Sequence, residues 1–520
     1  MSFEIDPDYS QQFVFPLSLE TWVKKDHPVQ FIRAFVDSLD LKSLGFKSRK
    51  SEEGRPNYSS NLLLKVWLYG YFEKTYSSRA LEKACQKDVG LLWLTGLKYP
   101  DHNTIWRFFH SNQQVLKRVF SQSVQIAIKG NLVSLALQAV DGTKIFADVC
   151  KNRTVYLKDL KKLLTILDSS LDEVFETISS QEKLGSEESS YSLPAEYQDK
   201  RKLNQLIHEG LEELSQSEKQ ELKRGIQSEI KKLSDAGVNQ LNLTDRDARQ
   251  MKTSNGSSSF CYNAQVVVDG GSQIIVGAKV SPECTDNHLL TEMIAEAAVN
   301  TGQVSKETLA DGGYFCGEEL QQAEDKGYSV LVNMSEEVRG EVKSEEAKVS
   351  EGSDSKGEGE GEVLNFKKRA FIYDESKDVY VCPAQQELIF ERVNTSNTKP
   401  YPVRIYRCRH HKSCKYKEFC SKDKAGRSIE RSPYEKALEK QLIKQEAASA
   451  RERLRKRKEI VEPVFGWIKR NNKFFRWSYC GLESVNAQWQ LICAVINLRR
   501  LYRRWLLGAF DLQKVLGKTG

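Results

Sequence analysis

Three carboxylates stand out by their surroundings. Leu309 to Phe315 reads LADGGYF, an apolar approach that ends on Asp311 and then passes two glycines. Ala139 to Phe146 reads AVDGTKIF and carries Asp141 in the same setting. Glu462 lies downstream in IVEPVFGWIKRNNKFFRW, residues 460–477, amid dense positive charge. A hard divalent cation such as Mg²⁺ takes oxygen ligands and keeps several waters. Two such ions about 3.5–4 Å apart can activate the attacking oxygen and stabilise the leaving oxygen in phosphodiester displacement. That chemistry needs few carboxylates but needs them held rigidly, and strand ends hold side chains rigidly. The expectation is that Asp141 and Asp311 each end a strand, that Gly142 permits a turn directly after the first, and that both meet Glu462 in space. Taken singly, either aspartate also fits ordinary Asp-Gly turn chemistry. Asp286, in PECTDNH, is a spare carboxylate ranked fourth.

Pro463 follows Glu462, and a residue before proline is pushed away from the helical region. A kink, or a helix starting with Pro463 at its first position, is therefore expected there. Lys469 comes seven residues later, two helical turns along the same face, where it could neutralise a scissile phosphate. An ion-pair member in a basic helix is the plainer role for Glu462.

Charge narrows the partner class. The 520-residue chain has a net charge of +7, and nine Lys/Arg against three Glu fall between Arg451 and Lys473. Such clustering is the footprint of a polyanion, or else a solvated helix face. Arg455, Lys458, Lys469, Arg470, Lys473 and Arg476 are the candidate DNA contacts, acting mainly on phosphates. Trp467, Phe474, Phe475, Trp477 and Tyr479 interleave with them and serve either as stacking platforms for bases or as core. No run of about 18 apolar residues and no signal-peptide pattern occurs, so a cytoplasmic protein is expected.

Of the 11 cysteines, seven are scattered and four cluster: Cys382, Cys408, Cys414 and Cys420. The last three are spaced C-x5-C-x5-C, wider than the usual zinc pairs. Four thiolates could still close a tetrahedral Zn²⁺ site, with His410 and His411 as substitutes; reduced thiols in a small loop-rich module are the alternative.

The elements that must position these residues follow from periodicity. Residues 1–130 read as short helices, including 62–74, 77–85 and 100–110, in a helix-turn-helix-like arrangement or a plain bundle. Residues 131–151 carry the first strand. Residues 152–243 carry a heptad seam, Leu157 to Ile178, and a second apolar stripe from Leu203 to Leu233, read as an antiparallel helical hairpin inserted after that strand. Residues 244–334 give a hairpin around Asp269-Gly270-Gly271-Ser272, then helix, strand, helix, strand. The segment 335–363 is Glu/Ser/Gly/Lys-rich and reads as a linker. The cysteine module spans 364–432, and a long basic helical stretch fills most of 433–520. Alternating strands and helices indicate an α/β core with a mixed sheet.

AVDGTKI, YNAQVVVD, ADGGYF, VEPVFGWIK and INLRRL (496–501), together with LLLKVWLYGY, SSRALE and PDHNTIWRF upstream, resemble the insertion-sequence transposases of the DDE type. The resemblance implies an RNase H-like catalytic core with a helical N-terminal DNA-binding domain and a cysteine-containing insertion. It implies Mg²⁺ or Mn²⁺ on Asp141, Asp311 and Glu462, with Lys469 as the lysine after the glutamate. It further implies cleavage at element ends, joining of the 3′-OH to target DNA, and a homodimer on paired double-stranded ends in the nucleoid. Relatives carry a Tyr, Arg, Glu, Lys pattern around the last acid; here Arg455 and Lys458 occupy the first two places. A catalytically inactive DNA-binding derivative and an RNase H-like nuclease without strand transfer are the competing readings.

Overall fold

A computed structural model describes residues 18–46, 57–175, 193–209, 214–253, 256–334, 368–395, 401–421 and 423–517. The expected linker 335–363 and the seam position Ile178 lie outside them.

The N-terminal segment forms α1 (Pro28–Asp37), α2 (Ser60–Phe72), α3 (Ser78–Ala84), α4 (Val89–Thr95), α5 (His102–Ser111) and α6 (Gln113–Lys129). Local chemistry starts several of them. Ser59, Ser77, Asp88 and Asp101 each accept a backbone N–H from the first turn of the following helix, satisfying donors that have no intrahelical partner. The apolar faces of α2 are buried nearly all round, as its sequence requires.

The central sheet contains β1 (Gln138–Phe146), β4 (Arg249–Lys252), β5 (Ser258–Asp269), β6 (Ile275–Ser281), β7 (Thr308–Ala310) and β8 (Val330–Val332). Strands β6, β5 and β1 are successively antiparallel, whereas β7 and β8 run parallel to β1 on its other side. Helices α10 (Leu290–Thr301) and α11 (Gly317–Asp325) provide the crossovers that parallel strands need. The β5–β6 hairpin closes where expected. Asp269 accepts from the amides of Gly271 and Ser272 and also from the amide of Leu135, tying the turn to the entry of β1.

Between β1 and β4 lies the insertion. It is more elaborate than a two-helix hairpin: β2 (Thr154–Tyr156) and β3 (Gln240–Asn242) pair antiparallel at its base, and α7 (Leu157–Phe175), α8 (Lys200–Glu209) and α9 (Gln216–Asp235) form its body. Leu160, Leu163, Leu167, Leu203, Leu222, Ile226 and Leu233 make a core separate from the main one. The second stripe is divided between α8 and α9, and Ser215 starts α9 with a reciprocal capping box to Glu218.

The cysteine segment is a five-stranded antiparallel sheet, not a loop-rich module. It consists of β9 (Ile372–Asp374), β10 (Val379–Val381), β11 (Glu387–Asn394), β12 (Val403–Cys408) and β13 (Ser428–Arg431), with the one-turn α12 (Lys417–Cys420). The basic stretch then divides into α13 (Glu435–Glu446), α14 (Ala448–Gly466), a π-helical turn (Trp467–Asn471), α15 (Leu482–Leu506) and α16 (Leu512–Leu516).

Helix α15 decides the architecture. It is buried along most of its length. Asn497 on it both donates to Ile275 O and accepts from Ile275 N, and Gln488 donates to Tyr71 of α2. The N-terminal helices and the sheet are thereby joined in one hydrophobic core.

Candidate functional site

Asp141 does not end its strand. Strand β1 continues five residues beyond it, and Gly142 pairs in register with Gln265 instead of turning. The reason is space. A Cβ on Gly142 would lie 2.2 Å from Gln265 Nε2, 2.9 Å from Asn263 Oδ1 and 3.0 Å from Asp286 Oδ1. This glycine serves close approach within a sheet.

Asp311 does stand at a strand end. Its side chain accepts from Gly313 N at 2.9 Å and caps a 3₁₀ turn over Gly312–Tyr314. In the parallel pairing Ala139 faces Leu309, so Asp141 and Asp311 occupy corresponding positions two residues on. Burial pushes the Asp141 carboxyl up to about 6; the nearby Asp311 charge adds to this, while Arg457 opposes it.

Arg457 was not singled out by sequence. It is buried, and its Nη1 lies 3.0 Å from Asp141 Oδ2. Within the run RLRKRKE nothing marks it from its neighbours; only the helical phase of α14 against the sheet turns it inward. Glu462, on the same helix, is exposed, and Pro463 lies inside α14 instead of beginning a helix. Among the described residues no three His, Cys, Asp or Glu side chains converge closely enough to hold a metal ion. The structure thus places Asp141 beside Asp311 and does not draw Glu462 into contact with them.

Asp286, the spare carboxylate, lies near Asp311. Its Oδ1 accepts from Asn263 and Gln265 at 2.7 Å each, and a Cβ on Gly313 would lie 3.1 Å from Asp311 Oδ1 and 3.2 Å from Asp286 Oδ2. Tyr314 donates its hydroxyl to Gln265 Oε1; burial and the three surrounding aspartates hold that hydroxyl far above its usual range. Strand alternation sends Asp141 toward α14 and Gly142 toward Asn263, Gln265 and Asp286 on the other face.

Among the candidate DNA contacts, Arg455, Lys458, Arg470, Lys473 and Arg476 are exposed, while Lys469 is half-buried and its ammonium is pushed down by that burial. The π-helical turn breaks the even two-turn spacing from Glu462 to Lys469. Arg476 backs onto β1 through a bridge with Phe146. Phe474, Trp477 and Tyr479 are core; Phe475 alone among the five aromatics is exposed, and Trp467 is half-buried.

Cys382, Cys408, Cys414 and Cys420 line one small cavity together with His411, whose Nδ1 is buried without a partner; His410 is exposed and does not line it. Burial raises the Cys408 and Cys420 thiols, and each is raised further by the neighbouring sulfurs. Four thiols and an unpartnered imidazole nitrogen are donor types that zinc takes, but although they line one cavity, no three of them converge closely enough here to hold a metal ion.

No described helix is long and apolar enough to cross a membrane. Two family models match the chain: a Transposase DDE domain over residues 381–502 and a Transposase domain (DUF772) over residues 17–111. The first contains the four clustered cysteines, Glu462 and Lys469; the second contains α1 to α5. Asp141, Asp286 and Asp311 lie outside both. No curated protein and no solved structure matches the chain.

Proposed function

With both family matches supporting an insertion-sequence transposase of the DDE type, we propose that Asp141, Asp311 and Glu462 are its acidic set. In this reading the chain cleaves the phosphodiester at each element end and joins the freed 3′-OH to target DNA. The observation that carries it is the proximity of Asp141, on β1, to Asp311, which directly follows the adjacent parallel strand β7. Rigid backbone fixes both carboxylates, one of them largely buried, as ligation of a hard cation demands. The strand order β6-β5-β1-β7-β8, in which β5 alone runs against the other four, supports an RNase H-like core.

Asp141, Asp311 and Glu462 would hold Mg²⁺ or Mn²⁺, which supplies Lewis acidity to the attacking and leaving oxygens. Asp286 belongs beside them as a positioning residue that fixes Gln265 and, through it, Tyr314. Helices within 1–130 would recognise terminal repeats, the exposed lysines and arginines would contact backbone phosphates, and a dimer would hold two ends together. The cysteine cavity would hold a structural zinc.

The test is cleavage of a labelled duplex bearing the element's own end, with Mg²⁺, comparing wild type with Asp141→Asn, Asp311→Asn and Glu462→Gln. Loss of cutting in all three supports the set. Undiminished cutting by Glu462→Gln removes Glu462 and leaves the aspartate pair. If no protein cuts but all bind the end, the inactive DNA-binding reading replaces this one; cutting without strand-transfer product favours a nuclease.

A further inference from the structure

A second charged feature lies away from the aspartates. Ser272 and Gln273 at the β5–β6 turn, Pro463, Trp467, Ile496 and four arginines of α15 enclose a cleft of about 240 Å³. The arginines are Arg499, Arg500, Arg503 and Arg504, which lie at i, i+1, i+4 and i+5 and so share one side of the helix. No described carboxylate forms an ion pair with any of them, in contrast with arginines 33, 246, 404, 407, 431, 453 and 457.

Two of the donors are already out of water. Arg499 Nε and Arg500 Nη1 are buried and make no hydrogen bond. An unpaired buried donor on a charged group costs free energy that a folded chain rarely bears without reason. The guanidiniums are also held in place. Arg499 stacks 3.9 Å from the Phe72 ring centroid and 5.6 Å from that of Trp467, and Arg503 lies 5.0 Å from Trp467. Burial, and then repulsion from Arg504 and Arg503, push the Arg500 guanidinium down to about 10. An anion in the cleft would pair the orphaned donors and relieve the repulsion at once.

We propose that this cleft is a phosphate-binding site for the DNA backbone, gripping the duplex through α15 at a place distinct from Asp141 and Asp311. The planar guanidinium forks match phosphate oxygens, and phosphodiester is the polyanion that the proposed reaction puts on this protein. The inference rests on the DNA-transposition reading and deepens it by naming a contact.

Fluorescence anisotropy with a labelled duplex, in EDTA so that no cutting occurs, tests it across a salt series. The variant is Arg503→Gln/Arg504→Gln, chosen because these two lie outside the packed part of the helix. Lys412→Gln/Lys415→Gln, in the connection between β12 and α12, removes the same charge elsewhere. Expected is a slope of log affinity against log salt that falls by about 2 for the arginine pair and stays unchanged for the lysine pair. Equal slopes for wild type and the arginine variant overturn the proposal, as does an equal fall for both pairs. Arg500→Gln is the second arm and should weaken binding while thermal melting confirms its fold. The outcome is separable from the catalytic reading. A wild type that binds through these arginines but never cuts keeps the site and loses the chemistry, whereas one that cuts with an arginine-independent slope does the reverse.

Discussion

Substituting alanine at Gly142 separates two physical accounts of the same residue. In a turn after a strand, alanine costs about 1 kcal/mol through backbone preference. In the sheet the cost is steric and electrostatic. The new Cβ would sit 2.2 Å from Gln265 Nε2, so Gln265 must move. It cannot move freely, because it is fully buried, donates to Asp286 Oδ1 at 2.7 Å and accepts the Tyr314 hydroxyl. Overpacking a tight interior costs about 1–3 kcal/mol, and losing a hydrogen bond to a charged acceptor costs about 1.5–3 kcal/mol. Both follow from one displacement and overlap, which gives about 2–4 kcal/mol for Gly142→Ala. Urea denaturation followed by tryptophan fluorescence measures it as a lowered midpoint at unchanged slope. Gln265→Ala should recover part of the loss in the Gly142→Ala background, with a coupling of at least about 1 kcal/mol. A midpoint within about 0.5 kcal/mol of wild type, or strictly additive effects in the double variant, would refute the close-approach account.

Asp141 sets a pH dependence in metal-free protein. Its carboxyl is raised from 3.8 to about 6, so the folded state prefers it protonated. The associated stability is fully present below pH 3.8 and is lost as pH rises through 6, by up to about 3 kcal/mol at about 1.36 kcal/mol per unit. Asp141→Asn should therefore gain on wild type between pH 4.5 and 7.5 in EDTA; parallel denaturation midpoints across that range would count against it. Glu229 is fully buried in α9 and paired with Arg246 and Lys232. Glu229→Gln should destabilise the insertion by about 3 kcal/mol, seen as faster hydrogen exchange in α7 and α9 with the central sheet unchanged. Elemental analysis of protein purified without chelator should find one zinc per chain, and Cys408→Ser/Cys420→Ser should lose it. Zinc retained by that variant would dissociate the metal from this cavity.

How much could be read in advance depended on whether the signal was local. Ser77 and Asp101 start their helices by hydrogen bonds within four residues, so their role was visible in the letters alone. The β5–β6 hairpin was equally legible, since Asp269 organises its own turn. The heptad seam marked the insertion but not its three helices or the β2–β3 base. Gly142 was misread because a glycine after aspartate looks the same in a turn and in a sheet. What sets it apart is Gln265, 123 positions later in the chain. The partners of Asp286 were hidden for the same reason: it accepts from Asn263 and Gln265, two residues of β5 brought to it by the fold.

The chain's letters by themselves determined the helices of the N-terminal segment, the hairpin-helix-strand-helix-strand order from β5 to β8, the basic character of the last hundred residues and the cysteine cluster. These rest on periodicity, capping and composition, which act over a few residues. Tertiary structure alone decided that Arg457 pairs with Asp141 while Glu462 stays exposed, that Phe474, Trp477 and Tyr479 are core, and that four arginines of α15, without a described ion pair, line one cleft. Each depends on the rotational phase of a helix against a distant surface. A difference of one residue in that phase turns a side chain by about 100°, and a uniformly basic sequence carries no pattern to fix it.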